Sequence, residues 1–248
     1  MPALDWLTGR PVAHRGLHDA AHGIVENTPS AVSAAVAGGY GIEVDLQITA
    51  DGEAMVHHDD ALGRLTDGSG DLASMSAAAL KQVPFKSTAD RMITLGELCD
   101  MVAGRVTLVL ELKSRFNNDL RLVARTAAVL KNYAGPAAVM SFDPAQVAAM
   151  RTTAPTLTRG IVAERWYKHH EWERLSSSEK RNLAFLLHGL HTRPHFVAYG
   201  IRDLPALAPL VARNLFGRPL LTWTVRTLED RMCAQRWADQ MIFEGFRA

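Results

Sequence analysis

The 248-residue sequence predicts an α/β fold, a (β/α)8 TIM barrel with a small insertion after the second strand. Three observations carry this expectation. About eight strand-like runs alternate with helix-like runs, the pattern of a parallel sheet whose crossovers are helices. The length suits one such barrel, which typically takes about 250 residues. Several strand-like runs also carry acidic or imidazole residues at or near their carboxyl ends, the face where a barrel gathers its chemistry. Residues 1–248 are therefore read as a single barrel domain, with 50–93 as an insertion within it.

The elements follow in order. Pro11–His14 is a short first strand. Thr28 and Pro29 open a helix over Pro29–Gly38, a capping hydroxyl followed by proline in the first turn, and Gly38-Gly39 closes it. Gly41–Ile48 is the second strand, and Asp51-Gly52 turns the chain back through Ala54–His57 as a hairpin. The stretch Ala50–Ile93 is too long for a plain connection, so it is expected to hold its own hairpin and helix, with Asp67–Gly70 as a polar loop. Thr94 and Glu97 stand at capping-box spacing over a helix at Thr94–Ala103. Arg105–Leu110 is the third strand and Asn118–Asn132 the next helix. Strands at Ala137–Met140 and Thr158–Ala163 flank a helix at Pro144–Arg151. The polar, aromatic segment Glu164–Asn182 reads as a loop over the mouth plus part of a helix. Strands at His195–Tyr199, Pro219–Val225 and Gln240–Glu244 complete the set, the last after a helix at Leu228–Ala238.

Hydrophobic residues make up 48% of the chain, ample for a sizeable core. The formal charge of +1 gives no reason to expect non-specific nucleic-acid or membrane binding, so anion recognition should be local. The amino terminus carries Asp5 and Arg10 and lacks the pattern of a secretory signal. No apolar run approaches the roughly 18 residues that span a bilayer. Cys99 and Cys233 lie far apart and are expected to be reduced thiols. These features predict a cytoplasmic protein without stable membrane anchoring.

Alternate residues of a strand share a face, so Glu43 and Asp45 point the same way, and closure of a barrel brings Glu111 beside them. Three adjoining carboxylates repel unless a cation joins them. Oxygen donors without cysteine favour one hard divalent ion, Mg²⁺ or Ca²⁺. Arg15 and Lys113 add two fixed positive charges. Three carboxylates, one divalent ion and these two bases leave a single positive charge, which one phosphodiester anion neutralises. Hydrolysis of such a diester needs a proton removed from the attacking oxygen and one given to the leaving alkoxide. Two histidines can divide those tasks, and His14 and His58 are the candidates, with Asp59 or Asp60 placed to orient a ring.

At this point the chain resembles the glycerophosphodiester phosphodiesterase family. The phrases His14-Arg15-Gly16, Glu26-Asn27-Thr28, Ile42-Glu43-Val44-Asp45, Thr49-Ala50-Asp51-Gly52, Val56-His57-His58-Asp59 and Leu62-Gly63-Arg64 match it in order and spacing. Thr94-Leu95-Gly96-Glu97-Leu98, Leu110-Glu111-Leu112-Lys113, Ser141-Phe142 and Trp223-Thr224-Val225 continue the match over most of the chain. The resemblance implies a metal-dependent TIM-barrel enzyme that hydrolyses small glycerophosphodiesters to glycerol 3-phosphate and an alcohol. It implies His14 and His58 as the acid/base pair and Glu43, Asp45 and Glu111 as metal ligands. Arg15 and Lys113 would clamp the phosphate, Glu26 and Asn27 would support the site with Asn27 also a substrate-binding residue, and Trp223 would wall the glycerol carbons. Within the doublet, His58 matches the family position, so His57 should face away. Two departures stand out: Arg226 where members often carry asparagine, and Phe243-Glu244-Gly245-Phe246 where they often carry a Thr-Asp-x-Pro phrase. Both are read as leaving the metal and the histidines alone and as bearing on the alcohol side, with Arg226 read equally as favouring a more anionic substrate or as a surface salt bridge.

Other residues receive plainer readings. His188, His191 and His195 in HGLHTRPH are structural or surface residues, because Pro194 breaks any common helix face. His169-His170 belongs to a solvated loop. His18 and His22 fall in the first βα loop near the site, where a bystander role is the favoured reading and substrate contact the alternative. Trp166, Tyr167 and Trp172 read equally as a lid or as packing. Two rival functions fit the same motifs, a cyclising phospholipase D-like phosphodiesterase and a phosphodiester-binding protein without turnover. A third, a metal-independent barrel isomerase, would keep its activity in a chelator.

Overall fold

The computed structural model describes residues 4–169 and 172–248, so the predicted surface position of His170 lies outside the described residues. Eight parallel strands close on themselves: β1 (Val12–Ala13), β2 (Gly41–Ile48), β4 (Leu108–Leu112), β5 (Ala137–Ser141), β6 (Thr158–Ala163), β7 (Phe196–Gly200), β8 (Leu220–Val225) and β9 (Gln240–Phe243). Closure runs through β1, which pairs in parallel with both β2 and β9. The ninth strand, β3 (Ala54–Val56), is antiparallel to β2 and makes the predicted hairpin. The barrel is the (β/α)8 fold the alternation predicts.

Helices occupy the crossovers, apart from a short α1 (Asp5–Thr8) ahead of β1 and a short α3 (Ala77–Leu80) after β3. They are α2 (Pro29–Gly38), α4 (Leu95–Val102), α5 (Arg121–Leu130), α6 (Pro144–Thr153), α7 (Ser177–Ala184), α8 (Gly189–Thr192), α9 (Leu207–Asn214) and α10 (Leu228–Trp237). The caps are those the sequence announces. Thr28 accepts from the backbone N–H of Ala31, and Thr94 and Glu97 close a capping box on α4. Each such cap satisfies an orphan N–H and is worth about 1 kcal/mol.

Strand alternation divides the core in two. Outward residues of β2 and β4 (Ile42, Val44, Leu46, Leu108, Leu110) pack beneath the helices. Inward residues (Val12, Val109, Met140, Val162, Phe196, Leu221, Ile242) fill the barrel, with Leu7 of α1 packed against them. Phe196 takes so much of this space that a methyl on Gly160 would sit 2.3 Å from its ring. Above this apolar filling the inward positions turn polar: Glu43 and Asp45 on β2, Glu111 on β4, and His14 and Glu244 just past β1 and β9.

Between β2 and α4, residues Met55, Leu72, Leu80, Phe85 and Met92 form a small apolar cluster with Val25 from the loop before α2. Cys99 and Cys233 are both free. Among the described residues no helix is long and apolar enough to cross a membrane.

Candidate active site

The register of β2 against β4 sets Asp45 directly opposite Glu111, with Glu43 one inward position below Asp45. Carboxylate oxygens of Glu43, Asp45 and Glu111 all lie within 4.8 Å of one another, and all three residues are buried. At that separation two ionised carboxylates repel by roughly 3 kcal/mol in an effective dielectric of about 20. Burial and then the Asp45 and Glu111 charges push the Glu43 carboxyl well above the ordinary glutamate value. Burial would also raise Asp45, but Lys113 and Arg15 hold it well below. Lys113 Nζ lies 3.0 Å from Asp45 and 2.8 Å from Glu111. Glu43 Oε1 is a buried oxygen with no hydrogen bond. A cluster of mutually repelling carboxylates holding an orphaned oxygen fits a divalent cation, and its all-oxygen donors fit a hard one.

Arg15 anchors the opposite flank. Its backbone N–H donates to Glu43 Oε2 at 3.0 Å, and its guanidinium lies 2.7 Å from Glu26 and 3.3 Å from Asp45. Both Arg15 and Asn27 adopt left-handed φ of 57°. Asn27 donates to Asp45 Oδ2 at 2.9 Å and accepts from the Asp45 backbone N–H at 3.2 Å, so its amide is committed to the carboxylate beside it.

The two predicted histidines are held alike. His58 Nδ1 lies 2.8 Å from Asp59 Oδ1, and Arg64 holds the other Asp59 oxygen at 2.6 Å. Arg64 also reaches Glu26 at 2.7 Å, joining Arg15, Glu26, Arg64, Asp59 and His58 in one chain of charge. His14 Nδ1 contacts Glu244 Oε2, and Arg226 holds Glu244 Oε1 at 2.6 Å. Each imidazole therefore donates its Nδ1 proton to a carboxylate and keeps Nε2 free for chemistry. For His14 that nitrogen is 3.9 Å from Glu43 Oε2. Burial lowers the His14 pKa below 6.5, against the pull of Glu244. His57 is buried, and its ring packs 6.4 Å from Phe85.

One expectation is overturned. The departures at Glu244 and Arg226 do not leave the histidines alone. Closure between β1 and β9 brings His14 N–H to Phe243 O at 2.9 Å and so sets Glu244 on the imidazole. That contact spans 230 positions of sequence, and a carboxylate ending a strand was the only local sign of it.

Trp223 sits at the mouth in a run of rings: Phe142 lies 5.5 Å from Trp223 and 4.9 Å from Trp172, which lies 5.2 Å from Tyr167. Tyr167 and Trp172 are thus packing residues of an apolar wall, whereas Trp166 is exposed. His195 accepts from the Arg159 backbone N–H, and His188 meets Thr192, so both serve the scaffold.

The sequence profile of the Glycerophosphoryl diester phosphodiesterase family matches residues 14–246. A glycerophosphodiester phosphodiesterase of Caldanaerobacter subterraneus subsp. tengcongensis is 26% identical over 229 residues, covering 88% of this chain and 86% of that one. Bovine (Bos taurus) glycerophosphodiester phosphodiesterase 1 is 25% identical over 169 residues, and the matched region spans 50% of that protein's length. Among solved structures, an Oleispira antarctica phosphodiesterase in complex with the product sn-glycerol-3-phosphate superposes with a TM-score of 0.77 at 21% identity, over 96% of this chain and 94% of the other. A putative glycerophosphoryl diester phosphodiesterase from Silicibacter pomeroyi gives 0.75 at 25% identity, over 94% and 89%. With its barrel, its acidic cluster and its profile match all coinciding, the chain belongs to the glycerophosphoryl diester phosphodiesterase family.

Proposed function

We propose that the protein is a metal-dependent phosphodiesterase that hydrolyses small glycerophosphodiesters to glycerol 3-phosphate and an alcohol. The observation that carries this reading is the convergence of Glu43, Asp45 and Glu111 within 4.8 Å, beside two imidazoles whose Nδ1 atoms are held by carboxylates. Glu43, Asp45 and Glu111 would hold one Mg²⁺ or Ca²⁺ ion. Such an ion, when bound, supplies positive charge to the phosphoryl oxygens.

The chain's own residues do the rest. Arg15 and Lys113 bring two further positive charges to the phosphate, and Arg15 offers planar, bidentate contact. Glu26 keeps Arg15 in place, and Asn27 sets the rotamer of Asp45. Trp223 shields the glycerol carbons. Of His14 and His58, one takes the proton of the attacking oxygen at Nε2 and the other gives a proton to the departing alkoxide. Residues 50–93 belong to this single domain as an excursion whose role is to deliver His58, Asp59 and Arg64 to the mouth.

The test is turnover by chelator-treated protein supplied with Mg²⁺ or Ca²⁺, using glycerophosphocholine and glycerophosphoethanolamine. Glycerol 3-phosphate should appear only with a divalent ion. Activity that survives the chelator would refute metal dependence. A cyclic phosphate persisting in phosphorus NMR would replace hydrolysis with cyclisation.

A further inference from the structure

A second group of ligand atoms lies on the other side of the His14 ring. One ring nitrogen of His14, one of His18 and a Glu244 carboxylate oxygen all fall within 4.8 Å of one another, and the Glu244 oxygen meets His14 through Nδ1 and His18 through Nε2. His18 Nε2 is buried, makes no hydrogen bond, and stands 3.5 Å from Glu244 Oε2. Two ligands on a tetrahedral ion with bonds of about 2.0–2.1 Å are separated by roughly 3.4 Å. The His18–Glu244 pair meets that spacing, whereas His14 Nδ1 and Glu244 Oε2, in direct hydrogen-bond contact, must part by about an ångström to admit the ion. The loop that carries His18 is tied on both sides, Leu17 N–H to Ala31 O at 3.0 Å and Asp19 N–H to Ile24 O at 2.8 Å. Arg226 fixes Glu244 through its other oxygen, leaving Oε2 turned toward the imidazoles.

We propose that His14, His18 and Glu244 form a second cation site, selective for a borderline ion such as Zn²⁺, and that its occupation switches His14 off. The donors decide the class of ion. Two imidazoles and one carboxylate suit Zn²⁺ and its neighbours, whereas the three-carboxylate cluster suits Mg²⁺ or Ca²⁺. The two sites share His14 as a wall: Nε2 faces Glu43 and Nδ1 faces Glu244.

The consequence for the ring is definite. Neutral His14 carries its one proton on Nδ1. An ion bound at Nδ1 takes that position, the proton passes to Nε2, and none is lost from the ring. Nε2 then has no lone pair to accept a proton, and a neutral metal-bound imidazole is a poor proton donor. Whichever of the two proton-transfer tasks belongs to His14 is therefore blocked. This effect on turnover rests on the function proposed above; the binding site itself does not.

The experiment uses Co²⁺ as an optical probe and Zn²⁺ as the inhibitor, on full-length protein with Mg²⁺ held saturating. Co²⁺ should give a visible absorption band of a four- or five-coordinate N/O site, and His18→Ala should abolish it. His18→Gln serves as a second variant that keeps a polar side chain in the loop. Zn²⁺ should inhibit turnover of glycerophosphocholine without relief by added Mg²⁺. Both His18 variants should keep basal activity while the inhibitory midpoint rises at least tenfold. A Co²⁺ band unchanged in His18→Ala, or inhibition relieved by Mg²⁺, would overturn the site. If the protein turns over no glycerophosphodiester, the Co²⁺ spectrum still decides the point.

Discussion

Replacing Glu244 with Gln tests how the carboxylate acts on catalysis. In the native arrangement Glu244 Oε2 accepts the Nδ1 proton of His14, which leaves Nε2 as a lone pair toward the acidic cluster. A Gln amide nitrogen in that place donates instead, so Nδ1 must accept and the ring proton moves to Nε2. The change also removes a charge-assisted hydrogen bond, worth about 1.5–3 kcal/mol. At 1.4 kcal/mol per factor of ten, kcat should fall by roughly 10- to 150-fold. KM should hardly move, because Glu244 reaches the substrate only through His14. Glu244→Asp keeps the charge on a stem one carbon shorter and should recover part of the loss. Release of glycerol 3-phosphate, with kcat and KM resolved, reads the effect. A kcat within twofold of wild type in Glu244→Gln would refute the reasoning.

The remaining predictions concern the other histidines and the arginine between them. His58→Gln should lose at least about 100-fold in kcat, the lower end of general acid–base contributions, while buried His57→Leu stays within a few-fold; the opposite order of losses would reverse the assignment. Arg64→Ala frees both Asp59 and Glu26 and should cost about tenfold in kcat/KM. The double variant with Asp59→Asn should lose less than the sum of the two single losses, since they share the Arg64–Asp59 contact and differ by the Arg64–Glu26 one. His188, away from this chemistry, is lowered to about 4 by burial. The folded state then binds fewer protons than the unfolded chain between pH 6.5 and about 4, so stability falls as pH drops through that window. The loss is at most about 3 kcal/mol. Urea midpoints at pH 7 and pH 5 should converge in His188→Gln, and an undiminished gap would exclude this residue.

Much of the barrel was legible because its signals are local. Thr28-Pro29 and Thr94 with Glu97 cap helices where the pattern placed them. Glu43 and Asp45 share a strand, so alternation alone aims them together. Less local features were hidden. The helix Leu207–Asn214 carries Pro209, which reads as a breaker; yet Pro209 is the third helical residue, where the N–H has no partner within the helix to lose. The third barrel strand runs Leu108–Leu112 rather than Arg105–Leu110, which sets Glu111 inside the ladder opposite Asp45. The His14–Glu244 contact depends on ring closure, which no window of sequence contains. The same holds for the bridge Arg64 makes between Glu26 and Asp59: its partners lie 38 and five positions away, on separate loops.

The most direct test of the account is equilibrium binding of Mg²⁺ and Ca²⁺ by calorimetry, comparing wild type with Glu43→Gln and Asp45→Asn. The wild-type protein should take up one ion. Affinity should weaken as the solution is acidified from neutral, because the raised Glu43 carboxyl must lose its proton before it can bind. Both variants should bind at least tenfold more weakly. Undiminished binding in both would place the ion elsewhere and contradict the account.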